Sequence, residues 1–203
     1  MSISSRRRNR QQPNCNDFIM NSDSVRYVLH CLLAKKHIPI YVTSAELEVK
    51  VEKYPALVVR NTDRSWERGS HWIGFILHSE SSWEWFDSFG NSLSTYRHVT
   101  MPRGELKQEN CKSLQSSVSY LCGEYVIMYF FNRFNGVTYK TFLSKFSTNT
   151  CRNDYIVRQF IASIPRIHLH HLYSNPRNQQ GCKCRRLCPI SFDNNYNKLK
   201  KAL

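Results

Sequence analysis

Apolar residues first fall into a helical rhythm between Asn21 and Lys36, where Val25, Val28, Leu29, Leu32 and Leu33 share one side. Ser22 or Asp23 supplies the expected N-cap. The following HIPIYV, and the stretch before Pro55, read as irregular or short-stranded. ALVVR, residues 56–60, is a β-prone run closed by the turn residues Asn61, Thr62 and Asp63. HWIGFILH, residues 71–78, predicts the next strand, and WEWFD, residues 83–87, the one after it. The polar tetrapeptide 79–82 makes the connection, so these two strands are expected to be antiparallel neighbours. Residues 98–120 read as loop, because of Pro102 and Gly104, before a short segment at 111–115. CGEYVIMYFFNRF, residues 122–134, is apolar nearly all round and predicts a buried helix that Gly136 ends. Two further helices are expected at 139–146, capped by Thr138, and at 154–164, capped by Asn153.

A length of 203 residues suits one ordinary domain, and 41% hydrophobic residues are enough to build its core. Residues 1–16 are expected to be a disordered basic arm, 17–165 the folded domain, and 166–203 a basic tail containing Cys and His. No apolar run reaches membrane-spanning length, and residues 1–14 are too polar for a secretory signal. The eight cysteines therefore predict free thiols in a reducing, intracellular compartment rather than a disulfide framework. A net charge of +14 points to polyanions, because Lys and Arg displace the counterions condensed on a nucleic acid. Arg6, Arg7, Arg8 and Arg10 suit phosphate contacts or a nuclear address, and a solvated tail reads equally well.

Three residues fit one reaction. Cys122 stands where an irregular segment enters an apolar helix, a place where unpaired amides and the helix dipole favour a negative sulfur. Gly123 behind it permits a crowded turn beside a bound substrate. His71 opens one strand and Asp87 closes its antiparallel neighbour, which brings a base and its orienting carboxylate to the same end. Taken singly, a Cys in an apolar run is a small hydrophobe, and a lone His or turn Asp is structural. Their order is what carries the reading: Cys122 as nucleophile, His71 as base, Asp87 as its orienter.

The string Gly69–Ser70–His71–Trp72, then Trp85–Phe86–Asp87–Ser88–Phe89–Gly90, then Gln115 to Leu121–Cys122–Gly123, resembles the adenovirus-protease (adenain-like) cysteine peptidases. The versions encoded by Polinton/Maverick-type transposons and related viruses are the most similar, over roughly residues 22–164. The resemblance implies an α+β, papain-like/adenain-like core with a central mixed sheet flanked by helices. It implies that Gln115 donates a side-chain N–H to the oxyanion and that Trp72 lies beside the base at the substrate site. It further implies a monomeric endopeptidase that matures viral or transposon capsid precursors in a nucleus or virion-like particle, stimulated by DNA and needing no other cofactor. Cys111, only four residues before Gln115, does not match the cysteine that captures an activating peptide in adenoviral members.

A ubiquitin-like-protein isopeptidase is the rival activity, although Leu121 stands where those enzymes usually carry Asp. A catalytically idle DNA-binding protein with the same fold is the rival from another class. Cys182, Cys184 and Cys188, with His168, His170 and His171, have ligand chemistry, but their spacing is poor for zinc and no metal site is assigned. Lys183, Arg185 and Arg186 make a nucleic-acid-binding tail the preferred reading there.

Overall fold

The computed structural model describes residues 20–164. The basic arm, the Cys/His tail and every nucleic-acid contact expected in them lie outside the described residues. Helix α1, Ser22–Leu33, leads through a 3-10 turn at Ala34–Lys36 into strand β1, Ile40–Thr43. Strands β2, Ala56–Asn61, β3, Trp72–Ser79, and β4, Ser82–Phe86, follow, and then β5, Glu105–Gln108. Helices α2, Cys122–Phe134, α3, Tyr139–Leu143, and α4, Thr150–Ser163, complete the described residues. The result is an α+β fold with a mixed five-stranded sheet.

The strands lie in chain order, with β1 and β2 parallel, β2–β3 and β3–β4 antiparallel, and β4 and β5 parallel. The central strands are apolar on both faces because both are covered. Leu57, Val59, Ile76 and Phe86 pack with α1, α2 and α4, whereas Val58, Phe75, Leu77 and Trp85 pack with Tyr96 and Val99 on the other side. Gly74 lets α2 approach β3, since a Cβ there would lie 2.9 Å from Phe130 Cζ. Phe86 stacks on Tyr129 with centroids 4.5 Å apart, which fixes the end of β4 against α2. Arg133 of α2 grips the buried Glu84 of β4 through two hydrogen bonds of 2.8 and 3.0 Å.

Several expectations need correction. The cap of α1 is Asn21, whose side chain accepts from Ser24 N at 2.9 Å, rather than Ser22 or Asp23. The last helix starts earlier, capped by Asn149, so Asn153 lies inside it. Helix α3 is shorter than expected, and residues 111–115 form no regular element. β5 falls within the region read as loop; its residues carry no apolar alternation, and three of the four are exposed.

Candidate thiol–imidazole site

His71 immediately precedes β3 and Asp87 immediately follows β4. Because Gly74 is opposite Phe86, the two flanking residues meet at one end of the sheet. His71 Nε2 lies 2.6 Å from Asp87 Oδ1, and both residues are buried. A carboxylate only accepts, so Nε2 carries the hydrogen. Asp87 Oδ1 also accepts from Phe89 N at 2.9 Å, and Oδ2 accepts from Asn91 N at 3.1 Å and the Tyr96 hydroxyl at 3.0 Å. Burial alone would raise the Asp87 pKa, but His71 and these donors hold it below its ordinary value.

The remaining ring nitrogen, Nδ1, is buried without a formed hydrogen bond. Cys122, buried at the first position of α2, is near enough to act electrostatically on the imidazole. Burial drives the His71 pKa down; Asp87 and Cys122 outweigh it and raise the value to about 9. The net direction favours the protonated imidazole. Phe89 covers the ring at 4.7 Å between centroids, and Tyr96 stacks at 6.3 Å.

Helices α1, α3 and α4 begin with side-chain caps from Asn21, Thr138 and Asn149, but α2 begins after Leu121 with none. Leu121 offers no side-chain acceptor to the first turn, so the cap residue does not compete with a negative sulfur for the helix N-terminus. Gly123 is indeed crowded, although the crowding is internal: a Cβ there would sit 3.2 Å from Met20 and 3.3 Å from Trp72. Trp72 is buried with its indole N–H donating to Met20 O at 2.9 Å. Trp72 and Gly123, both expected at the substrate site, are buried and packed against Met20.

Gln115 is buried, and its side-chain amide is oriented at both ends. Oε1 accepts from Ser88 Oγ at 2.7 Å, and Nε2 donates to Ser119 O at 2.8 Å, three residues before Cys122. An amide has two N–H donors, so one remains. The segment 110–115 lies across the turn that follows β4. Asn110 accepts from Asp87 N at 2.9 Å and donates to Asp87 O, and Ser88 O accepts from Leu114 N and Gln115 N at 2.9 and 3.0 Å. Helix α4 anchors the same segment. Asn153 Nδ2 donates to Leu114 O at 2.9 Å, and Asp154 Oδ1 accepts from the Tyr125 hydroxyl at 3.0 Å and from Ser116 N at 3.4 Å.

His71 and Asp87 are thus brought together, Cys122 acts electrostatically on the imidazole, and Gln115 stands on the segment leading to the thiol. Sequence reasoning missed the buried Ser88, Tyr96 and Asn110 and the half-buried Asn91, polar residues in apparent loops whose placement has no local signature. It also missed Trp66, Val118 and Tyr120, which are 69%, 82% and 59% exposed on the segments preceding His71 and Cys122. Large apolar residues inside polar loops were their available signal. A cavity of about 390 Å³, lined by Val58, Arg60, Phe75 and Met101, lies on the opposite face of the sheet and contains none of these groups.

Cys31, Cys111, Cys122 and Cys151 are free thiols. Among the described residues no cluster of His, Cys, Asp or Glu has the makings of a metal site. The chain matches no protein-family model and no curated protein.

Proposed function

We propose that this protein is a cysteine endopeptidase with an adenain-like, papain-related core. The observation that carries the reading is the buried imidazole of His71, held by Asp87 at 2.6 Å, with Cys122 near enough to act on the same ring. A buried pair of this kind needs a reason, because an isolated buried cation is expensive. Acyl transfer supplies one.

The Cys122 sulfur, having given its proton to His71, attacks the scissile carbonyl carbon and forms the C–S bond. The carbonyl electron pair moves onto oxygen, where the Cys122 backbone N–H and the Gln115 side-chain N–H stabilise it. As the oxyanion collapses, the C–N bond breaks and His71 delivers its proton to the departing amine. Water then attacks the thioester with His71 as base, the C–S bond breaks, and the acid product leaves with the thiol pair restored. Trp66, Val118 and Tyr120 offer apolar surface for an extended peptide on the segments that lead into both reacting residues.

The substrate class we propose is a structural precursor of a virus-like or transposon particle, with DNA as a stimulating partner. The charge of +14 supports the DNA part independently of the site. Labelling with iodoacetamide tests the thiol chemistry: one of the eight cysteines, Cys122, is expected to react fast at near-neutral pH in the native protein. Cys122→Ala should lose at least about 10³-fold in peptide cleavage, as expected for loss of a covalent nucleophile. It should retain its fold and DNA affinity. Cleavage surviving in Cys122→Ala would sink the assignment.

A further inference from the structure

Ser88 is buried between two groups with different tasks. Its neighbour Asp87 points back to the imidazole, while Ser88 itself turns to the 110–115 segment and meets Gln115 twice. Ser88 O accepts the Gln115 backbone N–H at 3.0 Å, and Ser88 Oγ donates to Gln115 Oε1 at 2.7 Å. The second contact carries information. Ser119 O can only accept, so it fixes the NH₂ end towards the loop that leads to Cys122, and the Ser88 hydroxyl holds the opposite end by donating to Oε1. Nε2 accordingly reaches Ser119 O at 2.8 Å. Reversing the amide would set its carbonyl oxygen against Ser119 O, two acceptors face to face, and would leave the Ser88 hydroxyl to accept rather than donate.

We infer that Ser88 is a positioning residue for the oxyanion donor, so that the dipeptide Asp87–Ser88 orients both the base and the electrophilic half of the site. This inference rests on the cysteine-peptidase reading. It assigns Ser88 no contact with substrate; the hydroxyl acts by keeping the second Gln115 N–H directed at the developing negative charge. Preorganised donors matter because they need no reorientation during the reaction.

The test separates positioning from scaffolding. Ser88→Ala should lower kcat for an internally quenched peptide roughly 10- to 50-fold, less than the ~10²–10³-fold typical for deleting an oxyanion donor outright. KM should change little. Affinity for a peptide aldehyde, whose thiol adduct places a tetrahedral oxygen at the same donors, should fall by a similar factor. The rate and pH profile of Cys122 alkylation by iodoacetamide should remain those of the wild type, since alkylation creates no oxyanion. In a Gln115→Ala background, Ser88→Ala should have no further effect on kcat. Unchanged kcat and aldehyde affinity in Ser88→Ala would overturn the inference. So would alkylation falling in parallel with turnover, or full additivity with Gln115→Ala. A wild-type protein that neither binds the aldehyde nor alkylates at Cys122 would overturn the peptidase reading along with it.

Discussion

His71 is the residue on which several physical effects meet. Desolvation opposes its charged form, yet Asp87 and Cys122 together raise its pKa to about 9. An imidazolium is what acylation needs, because the leaving amine requires a proton. The sign follows directly: kcat/KM should hold while His71 is protonated and decline as pH rises through about 9. Asp87→Asn removes the hydrogen-bonded carboxylate that raises this value, so the alkaline limb should move to lower pH. Turnover should also drop by roughly 10²-fold or more, in line with losing an oriented acid–base group. A pH–rate profile of the two proteins checks both points; an alkaline limb that stays put in Asp87→Asn would show that another group controls it.

The turn 87–91 and the segment 110–115 behave as one piece of machinery, and Gly90 is its crossing point. Gly90 has φ +67°, and a Cβ on it would sit 2.4 Å from the Lys112 carbonyl carbon. Gly90→Ala should therefore cost about 2–4 kcal/mol, combining left-handed backbone strain with overpacking against main chain. Denaturant unfolding measures this, and a loss below about 1 kcal/mol would mean that the two segments separate easily. The crossing also shows what could be read from the sequence. Runs such as ALVVR, HWIGFILH and CGEYVIMYFFNRF announce themselves, because burial on a regular element leaves a periodic trace. His71 and Asp87 were legible because each ends such a run and the short 79–82 connection forces the two strands antiparallel. The pairing of Ser88 with Gln115, 27 positions apart, joins two aperiodic segments. Nothing local distinguishes Asn110, which clamps Asp87, from a solvated loop residue. Asn153 misled for the opposite reason: it has the chemistry of a helix cap but spends it on Leu114 and Ser147 across the fold.

Charge divides the molecule in a way the fold makes visible. Residues 1–19 and 165–203 hold 12 of the 29 basic and 2 of the 15 acidic residues, so they carry +10 of the +14. The part that builds the sheet, the helices and the thiol site is left with only +4. Association with DNA and peptide cleavage are therefore expected to be separable by substitution. Arg6, Arg7, Arg8 and Arg10 lie close together in sequence and far from the site residues in the chain. Changing all four to Gln should reduce the slope of log K against log salt for duplex DNA by about 3–4, if each neutralises one phosphate. Cleavage of a short peptide without DNA should be unaffected, whereas stimulation by DNA should weaken at physiological salt. The measurements are binding titrations across a salt series and peptide turnover with and without duplex. An unchanged salt slope would move the interface away from the first residues, to Lys183, Arg185 and Arg186 or to the surface of residues 20–164. A fall in DNA-free peptide turnover would instead mean that the arm assists catalysis directly, and that charge and chemistry are not separable in this chain.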